Sequence, residues 1–298
     1  MVPRMLAAML SDGVRKVLAG GVEHWVRVAG AGNDGVPLVL LHGGPGESSY
    51  GVERSVGDAL AKVVPVVFYD QRGCGRTASA DTSTYTMEQL VADLEDLRTA
   101  LGVERIVPWG VSFGCLLAAE YAVAHSNHVD KLILHAPPIA DPLHPGIWTM
   151  RPGAVDPLLT PAERTALRAQ LDELTEPLER TVAALGAIAQ SENAAQFFYH
   201  DAANIPPDDE NAPEPNMEVA MALVGNERAD LVDELAGLDL PTLVLAGLWD
   251  RQVGFDIPRD VAARLPRATL EIFQHSAHSI DEEEPTAYVS AIQKFLAR

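Results

Sequence analysis

Arg105-Ile106-Val107-Pro108-Trp109-Gly110-Val111-Ser112-Phe113-Gly114-Cys115-Leu116-Leu117-Ala118-Ala119-Glu120-Tyr121 is the stretch that decides the fold. Its first residues read as a short buried strand, its last as an Ala- and Leu-rich helix, and the five between them form a G-x-S-x-G turn. A sharp strand-to-helix turn forces its middle residue into strained backbone geometry, so small residues must flank it. Gly110 and Gly114 meet that need. The same turn sets the Ser112 hydroxyl at the positive end of the following helix. A lone G-x-S-x-G arises by chance in a chain with 23 glycines; a strand before it and a helix after it make it a nucleophile elbow.

The apolar runs on either side repeat the pattern. Residues 36–41, 63–69, 131–135, 241–246 and 269–273 are rich in Val, Leu and Ile and lack period-two alternation, as strands covered on both faces do. Between them, 86–101, 114–125, 258–265 and 285–296 have the apolar spacing of helices packed on one side. This alternation predicts an α/β fold with a mostly parallel sheet flanked by helices and with ligands at the carboxyl ends of the strands. Residues 14–29, broken by Gly20 and Gly21, read as an antiparallel hairpin at the sheet edge. Between about 141 and 238 the alternation stops. An insertion this long reads as a helical lid rather than a structureless loop, with helices over 160–175, 178–198 and 215–235 and with Pro206, Pro207, Pro213 and Pro215 breaking the chain. The expected organisation is a core domain of 1–140 and 239–298 and a lid domain of 141–238.

With 298 residues, 47% hydrophobic and 21% charged, the chain can bury a large core and is not a disordered or linker sequence. Its formal charge of −20 repels phosphate backbones and anionic headgroups, so neither nucleic acid nor a membrane is an expected partner. Cys74 and Cys115 are too few for a disulfide framework or a thiolate-rich zinc site, and both are expected reduced and buried. The apolar first ten residues are too short for a signal peptide, and no segment approaches the roughly 18 apolar residues of a membrane span. The expectation is a cytoplasmic protein with a small-molecule or short-peptide substrate and no cofactor or metal; oligomeric state is not specified.

A serine hydroxyl is nearly inert at neutral pH and needs a base and an acid that orients it. Asp250 follows the run 241–246 and His278 follows 269–273, which places both at strand ends on the same edge as Ser112 and in the chain order Ser, Asp, His. His275 competes with His278, and Asp256 is the nearest substitute for Asp250; position favours His278 and Asp250. A His-x-x-His pair without a third ligand is weak for metal. His42-Gly43-Gly44-Pro45-Gly46 follows the run 36–41, where glycines let backbone approach a substrate, and the N–H groups of Gly44 and Phe113 are the candidate oxyanion hole. His42 reads as a brace for this loop. The glycines match neither G-x-G-x-x-G nor a G-K-[ST] ending, which sets aside phosphate binding.

Taken with Asp70-Gln71-Arg72-Gly73-Cys74-Gly75-Arg76, the glycine loop and the elbow resemble the proline iminopeptidase family of α/β-hydrolases over about 20–140 and 240–298. The resemblance implies the α/β-hydrolase fold and an aminopeptidase that releases N-terminal proline or another small residue from short peptides or amides. It also implies Ser112, Asp250 and His278 as catalytic triad, Gly44 and Phe113 as oxyanion hole, and an Asp-Gln-Arg loop that braces the site. The family's lid glutamates, which bind the substrate's amino group, have no matching motif here; the nearest stretch is 192–200. Glu192, Phe197 and Trp148 are the candidate substrate-binding residues, and Trp148, Phe197, Phe198 and Tyr199 read either as the lining of an apolar pocket or as core. The segment 141–238 holds 18 acidic residues against five arginines, which read either as a solvated face or as a field favouring cationic substrates. Alkyl transfer to an aspartate, as in epoxide hydrolases, is excluded by Ser112. A carboxylesterase, lactonase or amidase is the alternative, and a non-catalytic ligand-binding homologue the alternative of another class.

Overall fold

Among the described residues eight strands, β1 (Gly13–Ala19), β2 (Val22–Ala29), β3 (Leu38–Leu41), β4 (Val66–Tyr69), β5 (Val107–Val111), β6 (Leu132–His135), β7 (Thr242–Gly247) and β8 (Ala268–Phe273), form one sheet in the order β1-β2-β4-β3-β5-β6-β7-β8. The structure, a computed structural model, describes residues 10–139, 158–175, 177–224, 228 and 230–298. β3 (Leu38–Leu41), β4 (Val66–Tyr69) and β6 (Leu132–His135) are buried at every residue, and β5 (Val107–Val111) at all but its last. Their sequences carry no polar alternation because neither face meets water. β1 (Gly13–Ala19) and β2 (Val22–Ala29) pair antiparallel with Ala19 opposite Val22. The two glycines between them take φ of 54° and 77°, the two-residue turn whose twist matches the flanking strands. β2 joins β4 antiparallel, and every pairing from β4 to β8 is parallel. β7 (Thr242–Gly247) is wholly buried. β8 (Ala268–Phe273) departs from the two-faced expectation: it is the edge strand, and Glu271 and Ile272 are exposed.

Helices cover both faces. Met87–Ala100 and Gly114–Ala124 pack with the strands into one core cluster, and Pro285–Leu296 packs through Tyr288, Ile292 and Phe295 into the other. Between β6 and β7 lie the helices Pro161–Glu173, Pro177–Ala189, Met217–Leu223 and Leu231–Ala236. Thr160 starts the first with a reciprocal capping box to Glu163. The helix read over 178–198 stops at Ala189 and is followed by a 3-10 turn, Ala194–Phe197. Ser191 and Asn193 side chains donate to the Leu158 carbonyl, and such bonds compete with helix continuation. The helix read over 215–235 is two helices, with Gly225 and Asn226 in the sequence between them. Leu158, Leu159, Leu167, Ile188 and Phe197 form a small hydrophobic cluster of their own. Among the described residues no helix is long and apolar enough to cross a membrane.

The loop after β4 is braced by charge. Arg72 makes a bidentate pair with Asp93, with the shortest contact at 2.6 Å and both side chains buried, and also donates to the Gly20 carbonyl. Removing one partner strands a buried charge. Arg72→Met is therefore expected to lower unfolding free energy by about 3–5 kcal/mol, measured by urea denaturation; a loss under about 1 kcal/mol would mean that the pair is a surface-like contact.

Candidate active site

The elbow geometry follows from what surrounds it. Ser112 has φ of 51°, left-handed backbone that a non-glycine residue adopts only when its surroundings impose it. A Cβ on Gly110 would lie 2.5 Å from the Gly114 carbonyl oxygen, and one on Gly114 would lie 1.9 Å from the Leu41 carbonyl oxygen. Both positions admit only glycine. The Ser112 N–H donates to the His135 carbonyl at 2.8 Å, which ties the turn to the end of β6. Beneath it the Cys115 thiol donates to the Gly110 and His135 carbonyls. Cys74 and Cys115 are free and buried; burial pushes the Cys74 thiol up to about 12 and Cys115 well above the usual range.

Asp250, after β7, and His278, after β8, meet at 2.9 Å between Oδ2 and Nδ1, both buried. The other Asp250 oxygen accepts the N–H groups of Gln252 at 2.8 Å and Val253 at 3.0 Å. Burial alone would raise the Asp250 pKa, but the imidazole and these two amides hold it below its ordinary value. For His278 burial works against charge, and the Asp250 carboxylate outweighs it, so the imidazole pKa stands above 6.5. His275 is exposed and its backbone N–H donates to Glu284, while Asp256 begins the helix Asp256–Arg264 and pairs with Arg259.

Ser112 and His278 line one cleft of about 340 Å³ together with Gly43 and Gly44. A Cβ on Gly43 would lie 3.2 Å from the Ser112 Cβ, so the glycine loop runs against the elbow. Gly44 has φ of 113°. Among the described residues the N–H groups of Gly44 and Phe113 donate to no protein acceptor, nor does a hydrogen bond join Ser112 Oγ to His278. His42 does not face a partner in this chemistry. Its Nε2 accepts the Gln71 N–H at 2.9 Å, which leaves Nδ1–H to donate to the Gly43 carbonyl, while the Gln71 amide donates to the His42 carbonyl. Asp70 accepts from Ser49 and Arg76 and fixes the far side of the same loop.

Of the three residues read as substrate-binding, the two that are described do not line the cleft. Phe197 is buried in the cluster with Leu158 and Leu167, because its 3-10 turn points it into the insertion; Phe198 and Tyr199 line the cleft instead. Glu192 is exposed and is not among the cleft-lining residues. Trp148 lies outside the described residues. The carboxylates that do line the cleft are Glu47, directly after the glycine loop, and Asp281 and Glu282, three and four residues after His278. Among the described residues none of the three is in an ion pair with a basic side chain. Tyr199 donates to Glu282, yet burial and the neighbouring Asp281 push the Glu282 pKa up to about 7. Desolvation raises Glu47 as well, although solvent reaches it through the cleft. Both glutamates follow motifs visible in the sequence; nothing in the sequence said that they turn inward. One trio with metal-ligand spacing occurs among the described residues, Glu95, His125 and His128, but the Glu95 oxygens already accept from Arg98, Tyr121 and His128.

A strained serine between β5 and its helix, a buried Asp-His pair after β7 and β8, and a glycine loop after β3 share one edge of a mostly parallel sheet. Residues 36–285 match the family model described as alpha/beta hydrolase fold, and the chain belongs to that family. It is similar to the proline iminopeptidase of Thermoplasma volcanium, with 26% identity over 96% of this chain and 97% of that one. Among solved structures it is similar to proline iminopeptidase from Mycobacterium smegmatis (TM-score 0.71, 23% identity, 96% of this chain and 98% of that one). It is also similar to an esterase from Exiguobacterium antarcticum (TM-score 0.69, 18% identity, 97% and 100%). At these identities the two structures speak to the fold alone.

Proposed function

We propose that the chain hydrolyses an amide or ester through an acyl-enzyme on Ser112, and that it acts as an aminopeptidase on short peptides or amides with a free amino group. The observation that carries the hydrolase part is the 2.9 Å Asp250–His278 pair facing the same cleft as a serine held at left-handed φ. His278 takes the Ser112 proton as the hydroxyl attacks the carbonyl carbon, and the imidazolium is stabilised by Asp250. The N–H groups of Gly44 and Phe113 receive the oxyanion. His278 then gives its proton to the leaving amine or alcohol, and water attacks the acyl-enzyme by the same relay. The Ser112–His278 hydrogen bond forms as substrate displaces water from the cleft.

Two things support the free amine. Full-length relatives carry the name proline iminopeptidase, and Glu47, Asp281 and Glu282, without a basic partner among the described residues, put three carboxyl groups in the cleft that Ser112 lines. An ammonium group would favour the ionised form of Glu47 and Glu282, whose pKa values burial raises, and would form charge-assisted hydrogen bonds with the cleft carboxylates. A second hollow of about 870 Å³ shares Tyr50, Tyr199, Asp281 and Glu282 with the cleft and gives room for the rest of a short peptide.

Prolyl and other aminoacyl naphthylamides are to be compared with their N-acetylated forms and with simple esters. The free-amine substrates are expected to exceed the blocked ones in kcat/KM by about 10²-fold or more, since a site built around a charged partner rejects a ligand lacking it. Glu47→Gln combined with Glu282→Gln should erase most of that preference by raising KM. A preference for blocked amides or esters would sink the aminopeptidase reading and leave the acyl-enzyme standing.

A further inference from the structure

We infer that His135, at the end of β6, is a positioning residue that holds Ser112 and His278 in register, an assignment that rests on the acyl-enzyme reading. Its backbone carbonyl accepts the Ser112 N–H at 2.8 Å and the Cys115 thiol at 3.3 Å, so one end of His135 fixes the elbow. Its side chain fixes the other partner: Nε2 lies 3.0 Å from the His278 carbonyl oxygen.

The proton positions follow from the donors available. A carbonyl oxygen only accepts, so His135 Nε2 must carry a hydrogen. Burial holds the imidazole neutral, which leaves Nδ1 as an acceptor. Tyr288 stands 3.1 Å from Nδ1, and the Trp109 indole, a donor only, stands 2.8 Å from the Tyr288 oxygen. The chain therefore runs from Trp109 N–H to Tyr288 O, from Tyr288 O–H to His135 Nδ1, and from His135 Nε2–H to the His278 carbonyl. Every member is buried and every proton has one place to go. The His278 carbonyl sets the tautomer of His135, a tyrosine on the last helix and an indole on β5 hold the ring from its other side, and through the ring the backbone of His278 is set relative to Ser112. The His278 loop has other supports, the Phe198 carbonyl under the His278 and Ser279 N–H groups and Glu283 under Ala277, but neither touches the elbow. His135 alone among these contacts reaches both.

The test uses His135→Asn and His135→Gln. An asparagine amide reaches only the Nδ1 position and keeps the Tyr288 partner while losing the bond to His278. A glutamine amide reaches the Nε2 position and keeps the donor. Readouts are the rate of Ser112 labelling by a fluorophosphonate, kcat and KM on a p-nitrophenyl ester, and Tm. His135→Asn is expected to slow labelling and kcat by about 10²-fold, the effect of a reacting group displaced by about 1 Å, with KM within about twofold, and His135→Gln is expected to recover most of the loss. Wild-type rates in His135→Asn, or a His135→Gln variant as slow as His135→Asn, overturn the assignment. If either variant does not fold, Tyr288→Phe decides: without the hydroxyl on Nδ1 the His135 ring is no longer held toward the His278 carbonyl, so labelling should slow, and an unchanged rate overturns the assignment. Failure of the wild type to label at Ser112 would instead bring down the acyl-enzyme reading, and this inference with it.

Discussion

Ser112→Ala is expected to lower kcat by about 10⁴- to 10⁶-fold, the loss seen when a triad nucleophile is removed and only binding and oxyanion contacts remain. The fold should not notice. Alanine and serine bear the same strain at φ of 51°, and among the described residues the Ser112 hydroxyl has no hydrogen-bond partner to strand. Turnover of the best substrate, fluorophosphonate labelling and Tm should be measured on one preparation. Loss of labelling and turnover with an unchanged Tm is the expected pattern. An alanine variant within tenfold of wild type would place the chemistry on another residue, to be sought among Ser48, Ser279 and the tyrosines and carboxylates that line the cleft.

The elbow, the glycine loop and the buried strands were legible because each leaves a local mark in the sequence. Gly110 and Gly114 stand where a Cβ would overlap carbonyl oxygens, and the buried strands announce themselves by unbroken Val and Leu runs. The hairpin 14–29 and the last helix, Pro285–Leu296, were legible for the same local reasons. What was not legible depends on direction rather than on type. Glu47 sits one residue beyond the glycine loop and Glu282 four beyond His278, but a turn acid is read as solvated unless its neighbours are known to fold over it. Phe197 and Phe198 are adjacent and chemically identical, and only the 3-10 turn decides that the first fills a core while the second meets the cleft. His135 was invisible because its partners, Tyr288 and the His278 carbonyl, lie more than 140 residues away in sequence.

Asp250→Asn should be nearly as damaging as loss of the nucleophile, and for a reason readable from the hydrogen bonds. Oδ1 of Asp250 accepts two backbone N–H groups, from Gln252 and Val253, so an asparagine there must place its carbonyl oxygen at that position. Its NH₂ group then faces His278 Nδ1 and donates to it, where the carboxylate had accepted from it at 2.9 Å. The imidazole is forced to carry its proton on Nε2, toward Ser112, and can no longer take one. A fall of about 10⁴-fold in kcat is expected from this inverted tautomer, with the fold retained because the backbone bonds survive. The pH dependence gives an independent check. In the wild type kcat/KM should rise with pH through a His278 pKa above 6.5, since the neutral imidazole is the active form and Asp250 favours the charged one. In Asp250→Asn the largest favourable charge is gone while burial remains, with Glu47 and Asp281 still favouring the charged form, so the imidazole pKa falls from its wild-type position and the acid limb moves to lower pH on a plateau that is itself far lower. A limb that stays in place, or a rate within tenfold of wild type, would show that the 2.9 Å contact holds structure and does not set the proton that Ser112 needs moved.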